Sequence, residues 1–578
     1  MGRRMLRLAP ILAAATLAAA PAAAGAAQWT ATSPQGDVAA TVAQRGGTLT
    51  LIARREGRTV VRAALGRATG ALRHARRDRR TETFATPAGK RRAHRFDATR
   101  LRLAFPRRSL ELLVAGDGVA FRARGAHRDA VRWRAAGASR AWLQKLTFNY
   151  ENPYRPTRLR AARPGKYAYP ALLRTPVGDY ALLSESGLPA HAAAGHLVRG
   201  AGGLWAALPS GEKATAVTSW RFAVLGSAAT VVGSDLPLAL GHPSRIADAS
   251  WIVPGRAAWS WWADSSSPRR LGDQQRHVDA AAAAGWEYVL VDEGWNPAWL
   301  PELVAYAAER GVRVLLWADW HDLATGRERA AFLDRIAGWG VAGVKLDFLE
   351  SDRAPRMRFM AVAARAAARR ELVVAFHGVT VPRGFQRTWP NALTFEGVYG
   401  AEHAKPGRPI DPVHDVDLVF TRNAIGSMDY TPAALSARGQ ASTMAHRLAQ
   451  AIAFESGLQN YADRPESYAA HPAALGLLKA APAAWDDTRL LAGEPGAYAT
   501  VARRAGAAWF VGGLSATPAR TETLRLGFLA PGRRYTASVV TDDGAGGLAA
   551  SALTVTAADT LEVPVAADGG FTAQFAPA

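Results

Sequence analysis

The chain has 578 residues, a formal net charge of +23 and no cysteine. This length predicts three or four domains, and a hydrophobic content of 49% is ample for large cores. The lack of cysteine excludes a small disulfide-stapled scaffold and any cysteine nucleophile.

The N-terminus is typical of a secretory signal peptide. Arg3, Arg4 and Arg7 form a positive segment, an apolar run rich in Leu and Ala follows over residues 8–20, and small residues over 22–27 offer cleavage sites. We expect residues 1–27 to be removed and the mature protein to be secreted, extracellular or periplasmic. No later run reaches membrane-spanning length without charge, so we expect no integral membrane segment after cleavage.

The 71 Lys and Arg residues raise the question of a nucleic-acid partner. The densest basic runs occupy residues 75–80, 90–92 and 107–108, and we expect them to lie between strands. They contain no interleaved aromatic residues and no nucleic-acid-binding motif, so we predict no nucleic-acid partner. Adhesion to anionic surfaces remains an alternative role for the charge.

Two stretches are rich in short strands punctuated by Gly, Asp and Pro. Residues 28–250 contain runs such as Leu101–Phe105 and Trp220–Leu225, which predict a large antiparallel N-terminal β-sandwich domain. Residues 491–578 contain similar runs and predict a smaller C-terminal β-sandwich domain.

Between them, residues 251–490 alternate apolar strands with helix-length segments. We predict strands over 259–262, 288–293, 312–317, 343–348 and 372–377, with helices over 274–284, 301–309, 327–337 and 356–370. Repeated strand–helix units indicate a (β/α)8 barrel. A doubly wound sheet is the alternative, although no glycine-rich phosphate loop follows any strand.

In such a barrel the carboxyl ends of the strands form the active site. The predicted strand ends carry acids, bases and aromatics: Trp261, Trp262, Asp292, Glu293, Trp295, Trp317, Asp319, Trp320, His321, Lys345, Asp347, His377, Glu396 and Glu402. Tryptophan faces stack on pyranose rings, and paired carboxylates cleave glycosidic bonds. The inventory therefore indicates a protein that handles sugars.

Lys345 and Asp347 are central to this prediction. They lie two residues apart, so on a strand both side chains point to the same face. Burying them is costly unless they pair or take part in chemistry, and the strand alone leaves a structural ion pair and a catalytic role both open.

At this point the sequence resembles glycoside hydrolase family 97. The matching segments occur in the family's order: NYENPY (149–154), TSWRF (218–222), GWEYVLVDEGW (285–295), GVKLDF (343–348), FHG followed by PRGFQRTWPN (376–391), TFEGVYGAE (394–402), SMDYTP (427–432) and FESGLQNYAD (454–463). The resemblance implies an N-terminal β-super-sandwich, a central (β/α)8 TIM barrel, a C-terminal β-sandwich and an exo-acting, calcium-dependent α-glycosidase.

The resemblance also implies which of the family's two mechanisms applies. The inverting branch carries a glutamate where this chain has Gly378 and lacks the aspartate found here as Asp347. The chain therefore resembles the retaining branch, with Asp347 as the nucleophile and Glu402 as the acid/base. Retaining enzymes place the two carboxyl groups about 5–5.5 Å apart, and the acid/base needs a raised pKa.

The remaining site residues follow from the same resemblance and from residue chemistry. The family uses the Glu396 position as a calcium ligand, and we assign Glu151 and Glu402 as further ligands, with water completing the shell. Lys345 is similar to the Lys of Lys-x-Asp in retaining α-galactosidases of other families, where it holds substrate hydroxyls. For substrate binding we also predict Asp292, His377, Trp295 and Trp317, with structural or core roles as the alternatives.

The predicted activity is that of a retaining α-galactosidase acting on an α-galactoside oligosaccharide or glycoconjugate. The alternatives are a retaining enzyme for α-glucosides or β-L-arabinopyranosides, and a non-catalytic carbohydrate-binding protein. The sequence leaves the oligomeric state open.

Overall fold

The computed structural model describes residues 27–125, 131–135, 139–200, 203–405 and 407–578. The predicted signal peptide lies outside the described residues, apart from Ala27. None of the helices within these ranges is both long and apolar enough to span a bilayer.

The N-terminal domain consists of two antiparallel sheets. An eight-stranded sheet has the order β1-β2-β3-β4-β9-β16-β15-β12, and a nine-stranded sheet has the order β11-β10-β13-β14-β17-β8-β7-β6-β5. The strands are β1 Ala27–Thr32, β2 Val38–Arg45, β3 Thr48–Arg55, β4 Arg58–Arg67, β5 His74–Ala85, β6 Ala93–Phe105, β7 Arg108–Ala115, β8 Gly118–Arg124, β9 Arg132–Arg134, β10 Arg140–Gln144, β11 Tyr154–Arg158, β12 Gly165–Tyr167, β13 Ala171–Arg174, β14 Tyr180–Ser186, β15 His196–Gly200, β16 Gly203–Ala207 and β17 Trp220–Gly226, followed by helices α1 Ala228–Gly233 and α2 Leu236–Ala239.

The position of the first basic run differs from the prediction. Residues 75–80 lie inside β5, the edge strand of the nine-stranded sheet, and not between strands. Asp78 and Asp97 pair with Arg79, Arg100 and Arg102 in this region. Charged residues are depleted from most strands, but an exposed edge strand tolerates them and is protected by them from pairing with other chains.

The central domain is a parallel barrel with the strand order β23-β22-β21-β20-β19-β18-β24. Its strands are β18 Gly255–Trp259, β19 Tyr288–Val291, β20 Arg313–Asp319, β21 Gly343–Asp347, β22 Val373–Phe376, β23 Ala392–Phe395 and β24 Leu458–Tyr461. Its helices are α3 Leu271–Ala284, α4 Leu300–Ala308, α5 Gly326–Gly338, α6 Ala354–Ala368, α7 Phe385–Thr388, α8 Pro412–Phe420, α9 Met444–Ala453, α10 Pro465–Ala469 and α11 Pro472–Ala480.

The eighth barrel position is filled without a regular strand. Residues 427–430 run between β23 and β24, where the Asp429 N–H donates to the Phe395 carbonyl at 2.9 Å and the Met428 N–H to the Glu455 carbonyl at 3.0 Å. The predicted barrel is therefore confirmed, with one irregular segment in the ring.

Local sequence sets the ends of several elements. Gly285 ends α3 in a left-handed conformation at φ 66°, which glycine adopts without steric cost. Thr325 and Glu328 form a capping box at the start of α5. The predicted strand over 259–262 is wrong in its bounds, because β18 ends at Trp259 and a turn follows it.

The C-terminal domain contains a six-stranded antiparallel sheet of order β25-β26-β27-β32-β29-β30 and a two-stranded β28-β31 sheet. Its strands are β25 Asp487–Glu494, β26 Tyr498–Ala505, β27 Ala508–Ser515, β28 Arg520–Arg525, β29 Tyr535–Asp542, β30 Leu548–Val555, β31 Thr560–Val565 and β32 Gly570–Pro577. Helix α9 packs on β27 and β32 and joins this domain to the barrel.

Candidate active site

Every position around the barrel contributes a polar or aromatic side chain at the same end. In ring order these residues are Trp259, Asp292, Trp317, Lys345 with Asp347, His377, Glu396, Asp429 and Asn460. Because the carboxyl ends of parallel strands meet at one edge of the sheet, side chains far apart in sequence form one cluster.

A buried ion pair lies at the centre of this cluster. The Lys345 ammonium donates to Asp292 Oδ2 at 2.8 Å, and Trp259 Nε1 donates to the same oxygen at 2.6 Å. Burial alone would lower the pKa of Lys345, but Asp292, Glu402 and Asp347 raise it above its ordinary value. Lys345 is therefore a fixed positive charge whose hydrogen-bonded partner is Asp292, not Asp347.

Asp347 ends β21, and both of its carboxylate oxygens accept hydrogen bonds. Trp317 Nε1 donates to Oδ2 at 3.0 Å, and the Phe348 N–H donates to Oδ1 at 2.6 Å. Phe348 has a left-handed backbone at φ 58° and a ring that is 45% exposed and contacts Trp317 edge to face. Two donors thus orient the carboxylate beside an exposed aromatic ring.

The absence of a side chain at Gly378 leaves room for the turn formed by Asp347 and Phe348. It adopts φ 51°, and a Cβ atom built there would lie 3.1 Å from the Phe348 backbone and 3.3 Å from Asp347 Oδ1. Both contacts are tighter than ordinary van der Waals packing. The Gly378 N–H donates to Glu396 Oε2 at 2.7 Å. Any larger residue at this position would press on the turn that carries Asp347.

His377 is held between two carboxylates. Its Nε2 lies 2.8 Å from Asp429 Oδ2, and its Nδ1 lies 3.3 Å from Glu396 Oε2. Although burial and Lys345 lower the pKa of His377, Glu396 and Asp429 raise it to about 10. Both ring nitrogens therefore face carboxyl groups, which gives His377 a positioning role, while its predicted contact with substrate stays a prediction.

Glu402 lies in a short 3₁₀ turn after β23, and its Oε2 is buried without a hydrogen-bond partner among the described residues. Burial raises the pKa of Glu402. The positive charges of Lys345 and His377 lower this pKa, and the negative charges of Asp292 and Asp347 raise it, so the net shift is upward. A buried carboxyl group whose pKa is raised, near a second carboxylate, has the property that a general acid needs.

Glu396 and Glu402 also lie close enough to share a cation. One ligand atom from each of His377, Glu396 and Glu402 falls within 4.8 Å of the others. The pKa of Glu396 is raised well above its ordinary value, mainly by burial. His377 lowers this pKa, whereas the negative charges of Glu151, Glu402 and Asp347 raise it. Accumulated carboxylates with an unpartnered oxygen fit a hard cation such as Ca²⁺, which prefers oxygen ligands, whereas imidazole suits other metals.

The N-terminal domain reaches this cluster through Glu151. Its carboxylate lies 3.1 Å from His403 Nε2 in the turn that carries Glu402, and its charge acts on Glu396. The predicted contribution of this domain to the site is consistent with this contact, while coordination by Glu151 stays a prediction.

Trp295, a predicted substrate contact, has structural partners of its own. Its indole N–H donates to the Trp317 carbonyl at 2.8 Å, and its ring packs against Phe332 of α5 and against Trp339, the residue that follows α5. These contacts favour a role in fixing Trp317.

Sequence reasoning assigned no role to three residues of the cluster. The sequence predicts Trp259 at the start of a strand and not at its end, and Asp429 carries no signal beyond its place in the SMDYTP segment. Asn460 donates to Asp429 Oδ2 at 2.7 Å and was not singled out. The available signal was their position at the ends of barrel segments.

A parallel barrel with carboxylates and tryptophans gathered at its strand ends defines an enzyme of the glycoside hydrolase class. Three family models match in order along the chain: glycosyl-hydrolase 97 N-terminal over residues 31–243, glycoside hydrolase 97 over 253–398, and glycosyl-hydrolase 97 C-terminal, oligomerisation, over 484–576. The chain belongs to glycoside hydrolase family 97, as its resemblance implied.

Individual relatives agree with this assignment. The chain is 40% identical over 574 residues to a probable retaining α-galactosidase of Streptomyces bingchenggensis, covering 91% of this chain and 88% of the relative. It is 34% identical over 344 residues to a retaining α-galactosidase of Bacteroides thetaiotaomicron, covering 54% and 52%.

Two solved structures share the fold. A family 97 enzyme from Pseudoalteromonas sp. strain K8 in complex with acarbose has a TM-score of 0.86 at 23% identity, covering 95% of this chain and 100% of the other. A β-arabinopyranosidase has a TM-score of 0.85 at 22% identity, covering 94% and 100%.

The space at Gly378 generates the first prediction. We expect Gly378→Ala to lower kcat/KM for an aryl glycoside substrate by roughly tenfold to 100-fold, because displacing a catalytic group by a fraction of an ångström is costly. Steady-state kinetics and the melting temperature should be measured together. Gly285→Ala is the matched control, since Gly285 has φ 66° but nothing within 4 Å of its Cβ position. Wild-type kcat/KM in Gly378→Ala would contradict the steric account.

Proposed function

We propose that this chain is a secreted, exo-acting, retaining α-galactosidase that works by double displacement. The observation that carries the proposal is the pairing of an oriented carboxylate, Asp347, with a buried carboxyl of raised pKa, Glu402, whose charges act on each other. The retaining mechanism is further supported by Gly378, because this position leaves no side chain to activate a water beside Asp347.

In the first step, an oxygen of Asp347 attacks the anomeric carbon while Glu402 gives its proton to the glycosidic oxygen. The bond to the leaving group breaks, the aglycone departs as an alcohol, and a galactosyl ester of Asp347 remains. In the second step, the Glu402 carboxylate takes a proton from water as the water oxygen attacks the anomeric carbon. The ester bond breaks, and Asp347 and the Glu402 acid are restored.

The central ion pair supports both steps. Lys345 places a positive charge near Asp347 and Glu402 throughout the cycle, and its bond to Asp292 stops it from moving. Charges fixed before the reaction need no reorganisation when negative charge moves between the two carboxyl groups. Trp317 holds Asp347, and Trp295 holds Trp317.

The galactoside preference is supported by the 40%-identical relative from Streptomyces bingchenggensis, which is a probable retaining α-galactosidase. The Lys345–Asp347 spacing, similar to that of retaining α-galactosidases in other barrel families, agrees with it. Secretion is proposed from residues 1–27 alone.

Calcium dependence is also proposed, with Glu396, Glu402 and Glu151 as the ligand residues. The unpartnered Glu402 oxygen and the raised pKa of Glu396 support the fit, because both reflect negative charge that a cation would neutralise. Bound Ca²⁺ would supply positive charge and a coordination position for a sugar hydroxyl.

The substrate and the nucleophile are tested together. We expect kcat/KM for an aryl α-galactoside to exceed that for the aryl α-glucoside by roughly tenfold or more, because the site discriminates through hydroxyl contacts. Asp347→Ala should reduce hydrolysis on the order of 10⁴-fold. Azide should then restore turnover by taking the place of the carboxylate and yield the β-galactosyl azide.

The matched control is Asp322→Ala, an exposed aspartate in the turn after β20, which should keep wild-type kinetics. A preference for the α-glucoside or for a β-L-arabinopyranoside would overturn the substrate assignment. An active Asp347→Ala variant would overturn the mechanism.

Calcium is tested by dialysis against a strong chelator. We expect kcat/KM on the aryl α-galactoside to fall at least about tenfold, which is a typical loss when a metal site is disrupted. Activity should recover when Ca²⁺ is added back but not when Mg²⁺ is added. The melting temperature should rise with Ca²⁺ in the wild type and less in Glu151→Gln. Activity that survives chelation unchanged would remove calcium from the account.

A further inference from the structure

A cavity of about 400 Å³ is lined by none of the residues of the catalytic cluster. Its walls come from the N-terminal domain (residues 187–192, with His242 and Arg245), from α6 (residues 357–365) and from the segment 380–389 around α7. Small-molecule sites are commonly cavities of about 300–1,000 Å³ between domains, so both size and position fit a ligand site.

The inner surface of this cavity is apolar. Met360, Val381 and Trp389 are buried there, and Met357 and Phe385 are half-buried beside them. This surface offers contact area for a ring-sized apolar group, which gains free energy when it leaves water.

The rim, in contrast, is positively charged. Arg245, Arg358 and Arg365 are exposed and line the cavity, and none of the described residues that line it is acidic. Arg383 also lines it, but its guanidinium is already paired with Glu185 at 2.5 Å. Three rim guanidiniums therefore face a cavity without an opposite charge in its wall.

The effect of this charge is visible on two neighbours. Burial lowers the pKa of His242, and its hydrogen bond to the Leu188 carbonyl raises it. The positive charge of Arg245, which lines the cavity, lowers this pKa, as do the charges of Arg122 and Arg387, which do not line it. The pKa of Arg329 is lowered by burial and by Arg365. An anion at the rim would relieve this repulsion.

We infer that this seam between the N-terminal domain and α6 is a second binding site, for a small anion with an apolar, ring-sized body. The apolar part enters between α6 and α7, and a carboxylate, sulfonate or phosphate group meets the arginines. A guanidinium group can donate two parallel N–H···O hydrogen bonds to a pair of oxygens on any of these groups, and such charge-assisted bonds are stronger than those between neutral groups. The inference is independent of the proposed glycosidase activity.

The test is a fluorescence titration of the full chain with 1-anilinonaphthalene-8-sulfonate. We expect saturable binding at one site, which 2-naphthoate and 2-naphthyl phosphate displace and neutral 2-naphthol does not. The stronger of the two competitors identifies a carboxylate or a phosphate as the preferred group. The double variant Arg358→Gln/Arg365→Gln should weaken binding at least tenfold, because two charged partners are lost.

Arg525→Gln is the matched control, an exposed arginine on β28 in the C-terminal domain that should leave binding unchanged. Saturating galactose should not displace the probe. The inference is overturned if the wild type shows no saturable binding, if the double variant binds as the wild type does, if 2-naphthol competes equally, or if galactose displaces the probe.

Discussion

The buried contact between Lys345 and Asp292 is the interaction on which the rest of the site depends. The barrel end gathers Asp292, Asp347 and several glutamates in a region from which water is largely excluded, and the Lys345 ammonium offsets their charge at the centre. Removing one partner of such a pair leaves an unpaired buried charge, at a cost of about 3–5 kcal/mol. The pair therefore fixes the charge balance around the buried Glu402 carboxyl, whose pKa is raised, and the oriented Asp347 carboxylate.

A second network holds the loops that carry the site. Tyr150 of the N-terminal domain donates to Asp352 Oδ2 at 2.6 Å, in the loop after β21. Arg383, in the loop after β22, donates to the Tyr150 hydroxyl at 2.8 Å and pairs with Glu185. These buried contacts join the two loops that begin with Asp347 and Gly378 to the N-terminal sheets. The N-terminal domain thus acts as part of the active-site scaffold.

Much of the fold and of the site could be predicted because the barrel strands follow a simple rule. Apolar runs mark the strands and polar residues at their ends mark the face where Asp347, Glu396 and Glu402 lie, while the roles predicted for these three residues come from the family resemblance. The two-residue spacing of Lys345 and Asp347 predicts that both side chains lie on the same face of the strand. Their side-chain hydrogen-bond partners lie on or just after other strands, so these contacts form only when the barrel closes. The pairing of Lys345 with Asp292, 53 residues away, has no local signal.

The failures have physical causes of the same kind. The basic run in β5 was placed between strands because the apolar support for that edge comes from its neighbour β6. Trp295 and His377 also have partners that the sequence does not reveal, Trp339 and Asp429 respectively, and substrate contact by these two residues stays a prediction. Asp429 lies in the irregular segment that fills the eighth barrel position. Because this segment is not a regular strand, the strand pattern that locates the other site residues does not identify Asp429.

The central claim is that Asp347 forms a covalent intermediate, so that two displacements leave the anomeric configuration unchanged. The most direct measurement is proton NMR of the first-formed sugar during hydrolysis of an aryl α-galactoside, recorded before mutarotation. The account predicts that α-galactose appears first and that the β anomer grows in later. Initial release of β-galactose would contradict it, because that product requires direct attack by water.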